Sequence, residues 1–333
     1  MKILITGAAG FIGARLAYLL PKEYEIVGLD NLNDYYDINI KYERLKLLKK
    51  KRNFRFIKEE LTNKKCIDKL FHEENFDVIV HLGAQAGVRY SIESPYSYID
   101  SNIIGTMNIL EAARHYPVQH LIYASSSSVY GGNSKIPFST NDNVDHPVSL
   151  YAATKKSNEL MAHAYSNLYK IPTTGLRFFT VYGPLGRPDM AYFSFTESIL
   201  KEKPIKVYNQ GNMMRDFTYV DDIVEGIIRL IPQPPLENQK WDEAEEVSSS
   251  WAPYKIYNIG NNHPVRLLDF IETIEKHLGM KANKIFMDMQ PGDVKTTYAD
   301  VSDLEEKIDF KPQTSLDIGI GKFVNWYKEY YNV

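Results

Sequence analysis

The sequence predicts an α/β protein: a doubly wound parallel sheet with a smaller C-terminal α/β domain. Three observations carry this. Short apolar runs alternate with helical patterns through the first half, the signature of βαβ units. Those runs are rich in Ile, Val, Leu and Phe without clean alternation, as strands covered on both faces require. A glycine-rich turn, Gly7-Ala8-Ala9-Gly10-Phe11-Ile12-Gly13, follows the first run at once.

Strands are predicted at Lys2–Thr6, Glu25–Asp30, Phe54–Lys58, Val78–Leu82, His120–Ser125, Thr173–Phe178 and Lys255–Ile259. Helical spacing of apolar residues predicts helices between them at Ile12–Leu20, Tyr42–Lys50, Lys65–Glu73, Tyr98–His115 and Leu150–Lys170. After Phe179 the pattern loosens. Val181 to Asp189 reads as a loop, and further helices are predicted at Ala191–Leu200, Val220–Ile231 and Leu267–Leu278. The acidic, proline-containing and serine-rich stretch 232–253 reads as an exposed loop or insertion. A strand returns after it, so two domains are expected to interleave. Residues 1–178 with 216–262 form the nucleotide-binding unit, and 179–215 with 263–333 the second unit.

Composition sets the outer limits. The 333 residues have room for about two domains of ~150 residues. A net charge of −3 and the absence of a long basic run argue against a nucleic-acid partner, and Lys49 to Arg52 reads as a solvated helix end. A single cysteine, Cys66, excludes an intrachain disulfide and a thiolate metal cluster, and fits a reducing, cytoplasmic setting. The start of the chain enters a strand without a basic or long apolar segment, so neither a signal peptide nor a membrane span is expected. The eight histidines are scattered, and no metal site is expected.

In the glycine turn, Gly7 permits the tight bend. Gly10 lets the backbone approach a pyrophosphate, and Gly13 lets the following helix pack close to the sheet. Free N–H groups at the helix start then face phosphates. Asp30 ends the second strand, twenty-three residues after Gly7. A carboxylate there accepts from ribose hydroxyls and repels a 2′-phosphate, and Asn31-Leu32-Asn33 beside it brings no arginine. The pattern therefore predicts a Rossmann-type sheet that binds NAD rather than NADP.

Two more signals follow in order. Ser125 to Ser128 close the fifth strand, where an open sheet presents its ligand crevice. Tyr151 and Lys155, four apart in YAATK, share one helix face. A tyrosine starts near pKa ~10, and a neighbouring ammonium favours its phenolate. Serine hydroxyls, a tyrosine base and a nicotinamide pocket together point to proton and hydride chemistry.

The motifs GAAGFIG, SSSSVYG and YAATK resemble the extended short-chain dehydrogenase/reductase family, NAD-dependent epimerases and dehydratases among them. The stretches LRFFTVYGPLGRPDMA, QGNMMRDFTYVDDIVEGI, YNIGN and QPGDVKTTYAD resemble its sugar-nucleotide branch, most closely the bacterial UDP-glucuronate 4-epimerases. The resemblance implies that Tyr151 is the base, that Lys155 positions the nicotinamide ribose and lowers the tyrosine pKa, and that Ser126 bonds the reacting sugar oxygen. It implies NAD contacts at Gly7, Gly10, Phe11, Ile12, Gly13, Asp30, Asn31, Asn33, Glu60, Leu61, Leu82, Gln85, Asn102 and Phe178. Glu60 stands where the family more often has aspartate. The C-terminal α/β domain is then the substrate-binding one. There Arg215 matches a diphosphate ligand, and Val207, Tyr208, Gln210, Gln290 and Asp293 fall at substrate-binding positions. The resemblance also implies a homodimer paired through the helices at Tyr98–His115 and Leu150–Lys170.

The implied reaction is epimerisation at carbon 4 through a transient 4-keto sugar with tightly held NAD. The sugar is argued from departures within the branch. Thr180 stands where relatives acting on neutral sugars carry asparagine. Its hydroxyl, with Ser127 and Ser128, suits a carboxylate at carbon 6, and Arg187 is either a further anchor or a residue ordering its own loop. Related decarboxylases carry glutamate, and dehydratases an Asp-Glu pair, where this chain has Ser128 and Ser127. The alternatives are a UDP-glucuronate decarboxylase, a neutral UDP-hexose 4-epimerase, or a non-catalytic NAD-binding protein on the same fold.

Overall fold

The computed structural model describes residues 1–242, 246–289 and 295–333. The chain opens on β1 (Lys2–Thr6), turns through the glycines into α1 (Phe11–Leu19), and continues to β2 (Glu25–Asp30). The Asp37 carboxylate caps the next helix, accepting from the Asn39 N–H, so α2 (Ile38–Leu48) starts a turn earlier than its apolar spacing predicts. There follow β3 (Phe54–Lys58), α3 (Lys64–Glu74) and β4 (Val78–His81).

The single helix expected at Tyr98–His115 is broken into pieces. Two short turns, α4 (Tyr90–Glu93) and α5 (Pro95–Tyr98), lead through a π-helical stretch at Ile99–Ile104 into α6 (Gly105–His115). Asn102 lies in that widened turn, which aims its amide at the loop after β4. Then come β5 (His120–Ser126), α7 (Leu150–Tyr169) and β6 (Thr173–Phe178).

After one residue the chain forms β7 (Thr180–Tyr182), where a loop is predicted from Val181 onward. It continues through α8 (Ala191–Leu200), β8 (Ile205–Val207), β9 (Met214–Tyr219) and α9 (Val220–Leu230). The last elements are β10 (Tyr254–Ile259), β11 (Pro264–Arg266), α10 (Leu267–Leu278), β12 (Lys284–Phe286), α11 (Ser302–Ile308) and α12 (Leu316–Tyr331).

Among the described residues the large sheet has seven strands in the order β10-β6-β5-β4-β1-β2-β3. Every pair in it is parallel. The order reverses at β1 and β4, and a sheet of this kind opens its ligand crevice beyond the strand ends there. Both faces are covered. Ile3 and Ile5 pack on the side of α1, while Leu4 between them packs on the other side with Ile109 and Leu121. Continuous apolar strands follow from this two-sided burial.

A second sheet, ordered β11-β9-β7, lies beyond the strand ends, with a parallel pair β8 and β12 beside it. Phe217 on β9 stacks on Phe270 of α10 at 4.0 Å. The stretch 232–253 is exposed at 236–240, as its composition suggests, and packs down at its end. Ser248 and Ala252 are buried, the Trp251 indole donates to Asn167 on α7 at 2.7 Å, and Ser250 bonds His163 at 2.9 Å. The Trp241 and Trp251 rings meet there, 5.3 Å apart.

Candidate active site

A cleft of about 1080 Å³ opens beyond the carboxyl ends of the large sheet, between it and the smaller sheet. Its first wall is the glycine turn. Gly7 has φ +70°, and a Cβ there would meet the Gly83 backbone at 2.8 Å. At Gly13 a Cβ would meet the Gly7 carbonyl at 2.2 Å, so only glycine lets α1 begin this close to β1. Thr6 secures the neighbouring strand ends, accepting from the Gly83 N–H at 3.0 Å and bonding His81 at 2.7 Å. Burial first, then the Lys155 charge, pushes the His81 pKa down to about 3, so His81 is neutral.

Asp30 accepts from the N–H groups of Ala9, at 3.1 Å, and Leu32, at 2.9 Å. Each carboxylate oxygen keeps a lone pair for a further donor, as a vicinal diol requires. The glycine cradle and this carboxylate therefore fit a dinucleotide. A cation that sequence reading did not place stands beside it. Lys41 lies 3.8 Å from Asp30 and donates to Asn33 at 2.7 Å. Asn31 donates to Glu60 at 3.0 Å, which sets both at the cleft edge. Phe11, Ile12, Gly10, Leu61, Leu82, Gln85 and Phe178 complete this half of the lining.

Asn102 is fully buried and does not join the cleft lining, and both ends of its amide are engaged. Its oxygen accepts from the Gln85 N–H at 2.8 Å, and its nitrogen donates to the Gln85 carbonyl and Thr154, each at 3.0 Å. It fixes the loop that carries Gln85.

The second half holds the reactive groups. Ser149 caps α7, its hydroxyl accepting from the Ala152 N–H at 3.1 Å, which places Tyr151 in the first turn and Lys155 one turn on. Ser126 ends β5 in register with Phe178 on β6, and accepts from the Ser128 N–H at 3.2 Å. Ser126, Ser127, Ser128, Tyr151, Lys155 and Thr180 all reach the cleft.

Burial raises the Tyr151 pKa, against a hydrogen bond from Ser126 and the charge of Arg187, both of which favour the phenolate. The Lys155 ammonium donates to the Ala124 carbonyl at 2.8 Å, and burial brings its pKa down to about 8.

Behind the serines, Ser125 donates to Glu159 at 2.7 Å. Arg177 holds that carboxylate through two bonds, at 2.8 and 2.9 Å, and also donates to the Tyr130 hydroxyl at 3.1 Å. Burial opposes the Arg177 charge, and Glu159 more than offsets it. This network ties β5, β6 and α7 together.

At the outer wall, Arg187 forms a two-bonded pair with Asp189, at 3.0 and 2.5 Å. Arg215 donates to the carbonyls of Met214, at 2.9 Å, and Lys295, at 3.1 Å. Tyr208 lies under the Arg89 guanidinium, 5.3 Å from its ring centre. Val207 is fully buried and Gln210 is exposed in left-handed backbone at φ 51°, and neither joins the cleft lining. Gln290 and Asp293 lie outside the described residues.

Sequence reading missed Arg44. It is 2% exposed and donates to the carbonyls of Ala9, Leu185 and Gly186 and to the Tyr36 hydroxyl. It thereby joins the glycine turn to the loop of Arg187. Arg89 and Tyr35 were missed as well. The one available signal was the cation in Gly87-Val88-Arg89-Tyr90, in the loop that follows β4.

The sheet order, the glycine turn and the Ser/Tyr/Lys set define a nucleotide-dependent enzyme of the dehydrogenase type. Residues 3–260 match the NAD dependent epimerase/dehydratase family, and the chain belongs to it as an NAD-dependent epimerase-type enzyme. Among its relatives, protein CapI of Staphylococcus aureus is 62% identical, with 99% of each chain covered. A protein of Rhizobium meliloti described as a probable UDP-glucuronate 4-epimerase is 46% identical, covering 99% of this chain and 98% of that one. The solved UDP-glucuronic acid 4-epimerase of Bacillus cereus, in complex with UDP-glucuronic acid and NAD, superposes with a TM-score of 0.88 at 35% identity, covering 99% of this chain and 100% of that chain. Among the described residues no helix is long and apolar enough to cross a membrane.

Proposed function

We propose that the chain interconverts UDP-glucuronate and UDP-galacturonate by epimerisation at carbon 4. The observation that carries this reading is the serine run at the end of β5, where Ser127 and Ser128 line the cleft with Tyr151 and Ser126 and neither of those two positions is an acid. NAD, when bound, would supply the hydride acceptor and donor for carbon 4. Gly7, Gly10, Gly13 and Asp30 would hold its adenosine and pyrophosphate, and Lys155 its nicotinamide ribose.

Tyr151 takes the proton from the carbon 4 hydroxyl and gives it back after the sugar turns. Ser126 keeps that oxygen within reach. A 4-keto uronate is a β-keto acid, prone to lose carbon dioxide. Ser127, Ser128 and Thr180 bond its carboxylate and hold the breaking bond out of line with the ketone. Arg187 adds charge to that grip, and Arg215 pairs with the diphosphate. Ser128, where an acid would assist decarboxylation, leaves epimerisation as the outcome.

Residues 1–178 with 216–262 form the cofactor unit in this reading, and the remainder the sugar-nucleotide unit. The enzyme works as a homodimer in a reducing, cytoplasmic setting, where a single free thiol at Cys66 is safe. The test is mass spectrometry of the product made by purified protein without added NAD. An epimer of unchanged mass is expected. A lighter pentose as the main product, or a neutral UDP-hexose as the preferred substrate, would sink the reading.

A further inference from the structure

Arg187 and Asp189 both line the cleft, with side chains 22% and 27% exposed. The guanidinium presents Nε and Nη2 to the two carboxylate oxygens, the face an incoming carboxylate would itself choose. Tyr35 holds Asp189 from the other side. Its hydroxyl donates to Asp189 Oδ2 at 3.2 Å, and its ring lies 5.9 Å from the Arg187 guanidinium. Gly87 makes room for it, since a Cβ there would stand 2.6 Å from the Tyr35 oxygen.

One cation thus already carries a carboxylate of the protein. A sugar carboxylate that approaches it meets a like charge unless Asp189 yields. Exchange is cheap for an acidic sugar, because one carboxylate replaces another and the released Asp189 keeps the Tyr35 hydroxyl. A neutral sugar gains nothing from opening the pair.

We propose that Asp189, backed by Tyr35, is an internal stand-in for the sugar carboxylate, which occupies Arg187 until a uronate displaces it and thereby limits how tightly uronates bind. It is a positioning residue that acts through Arg187. The inference rests on the reading of Arg187 as a carboxylate ligand.

The test uses the full-length holoenzyme with Asp189→Asn, Asp189→Glu, Arg187→Ala and the double variant Arg187→Ala/Asp189→Asn. The KM for UDP-glucuronate and the inhibition constant of UDP-glucose are measured for each. Asn keeps an acceptor for Arg187 but removes the charge. Asp189→Asn is expected to lower the UDP-glucuronate KM about twofold to fivefold, the scale of a partly exposed ion pair, and to leave the UDP-glucose constant in place. Asp189→Glu restores the ratio of the two constants, and in the Arg187→Ala background the Asn change has no effect. An unchanged UDP-glucuronate KM, equal shifts for both sugars, or an Asn effect that survives without Arg187 overturns the inference. If Arg187→Ala alone leaves uronate selectivity intact, the role of Arg187 falls and the inference with it. Epimer formation by the unaltered enzyme tests the reaction separately.

Discussion

Lys155 and Tyr151 stand one turn apart on α7, and burial pushes both toward their neutral forms. The consequences for activity and stability run in opposite directions. Lys155 titrates near about 8 in the fold and 10.5 ordinarily, so the unfolded chain binds more protons between those values. Its burial costs stability below pH 8, and the cost is relieved as pH rises toward 10.5. Turnover that needs the ammonium falls earlier, as pH rises through about 8. Lys155→Met should therefore raise the melting temperature at pH 7 while lowering kcat by ~10²–10⁴, with thermal melts and rates measured on one preparation. Tyr151→Phe should abolish epimerisation yet retain NAD, read from the absorbance of the cofactor released on denaturation. Residual turnover near the normal rate would remove Tyr151 as the base. Much of this site was legible because glycine turn, Asp30, serines and YAATK each lie on one local stretch. Arg44, Lys41 and Tyr35 were not, since their partners stand far away in sequence or depend on how a loop folds back.

At the scale of elements, the Glu159–Arg177 pair fastens α7 to β5 and β6. Both side chains are almost fully buried, at 2% and 3% exposure. Arg177→Ala strands a buried carboxylate and should destabilise the protein by about 3–5 kcal/mol in urea unfolding. Combining it with Glu159→Leu should cost less than the sum of the single changes, because each removes the partner the other needs. The seven strands of the large sheet, β1 to β6 and β10, were readable from apolar runs that two covered faces impose. β7, β8, β11 and β12 are three residues each, too short for any period to show. β9 lay inside a family motif without being read as a strand. α12 escaped too, although Ser315 caps it and Ile320, Phe323, Val324 and Tyr327 repeat at helical spacing on its buried face. The π-helical turn at Asn102 was not read from the sequence, since the partner of its amide is Gln85, seventeen residues earlier.

For the whole molecule, the packed helices α4 to α7 leave apolar side chains outward. Ile92 and Tyr96 are 72% and 81% exposed, and Leu160 is 60% exposed. Such a face suits the proposed homodimer. Light scattering should give twice the chain mass, and Leu160→Lys should shift it toward one chain; a monomeric mass for the unaltered protein would refute the pairing. The two sheets that bound the cleft are meanwhile joined with almost no slack. Phe179 alone separates β6 from β7, and its N–H donates to Ile259 at 3.2 Å. β9 of the small sheet runs directly into α9, which packs on α1 under the large sheet. Any change of angle between the two sheets has to be absorbed in part at Phe179, whose side chain is buried and whose N–H is bonded, so parting the cleft walls breaks contacts at their back.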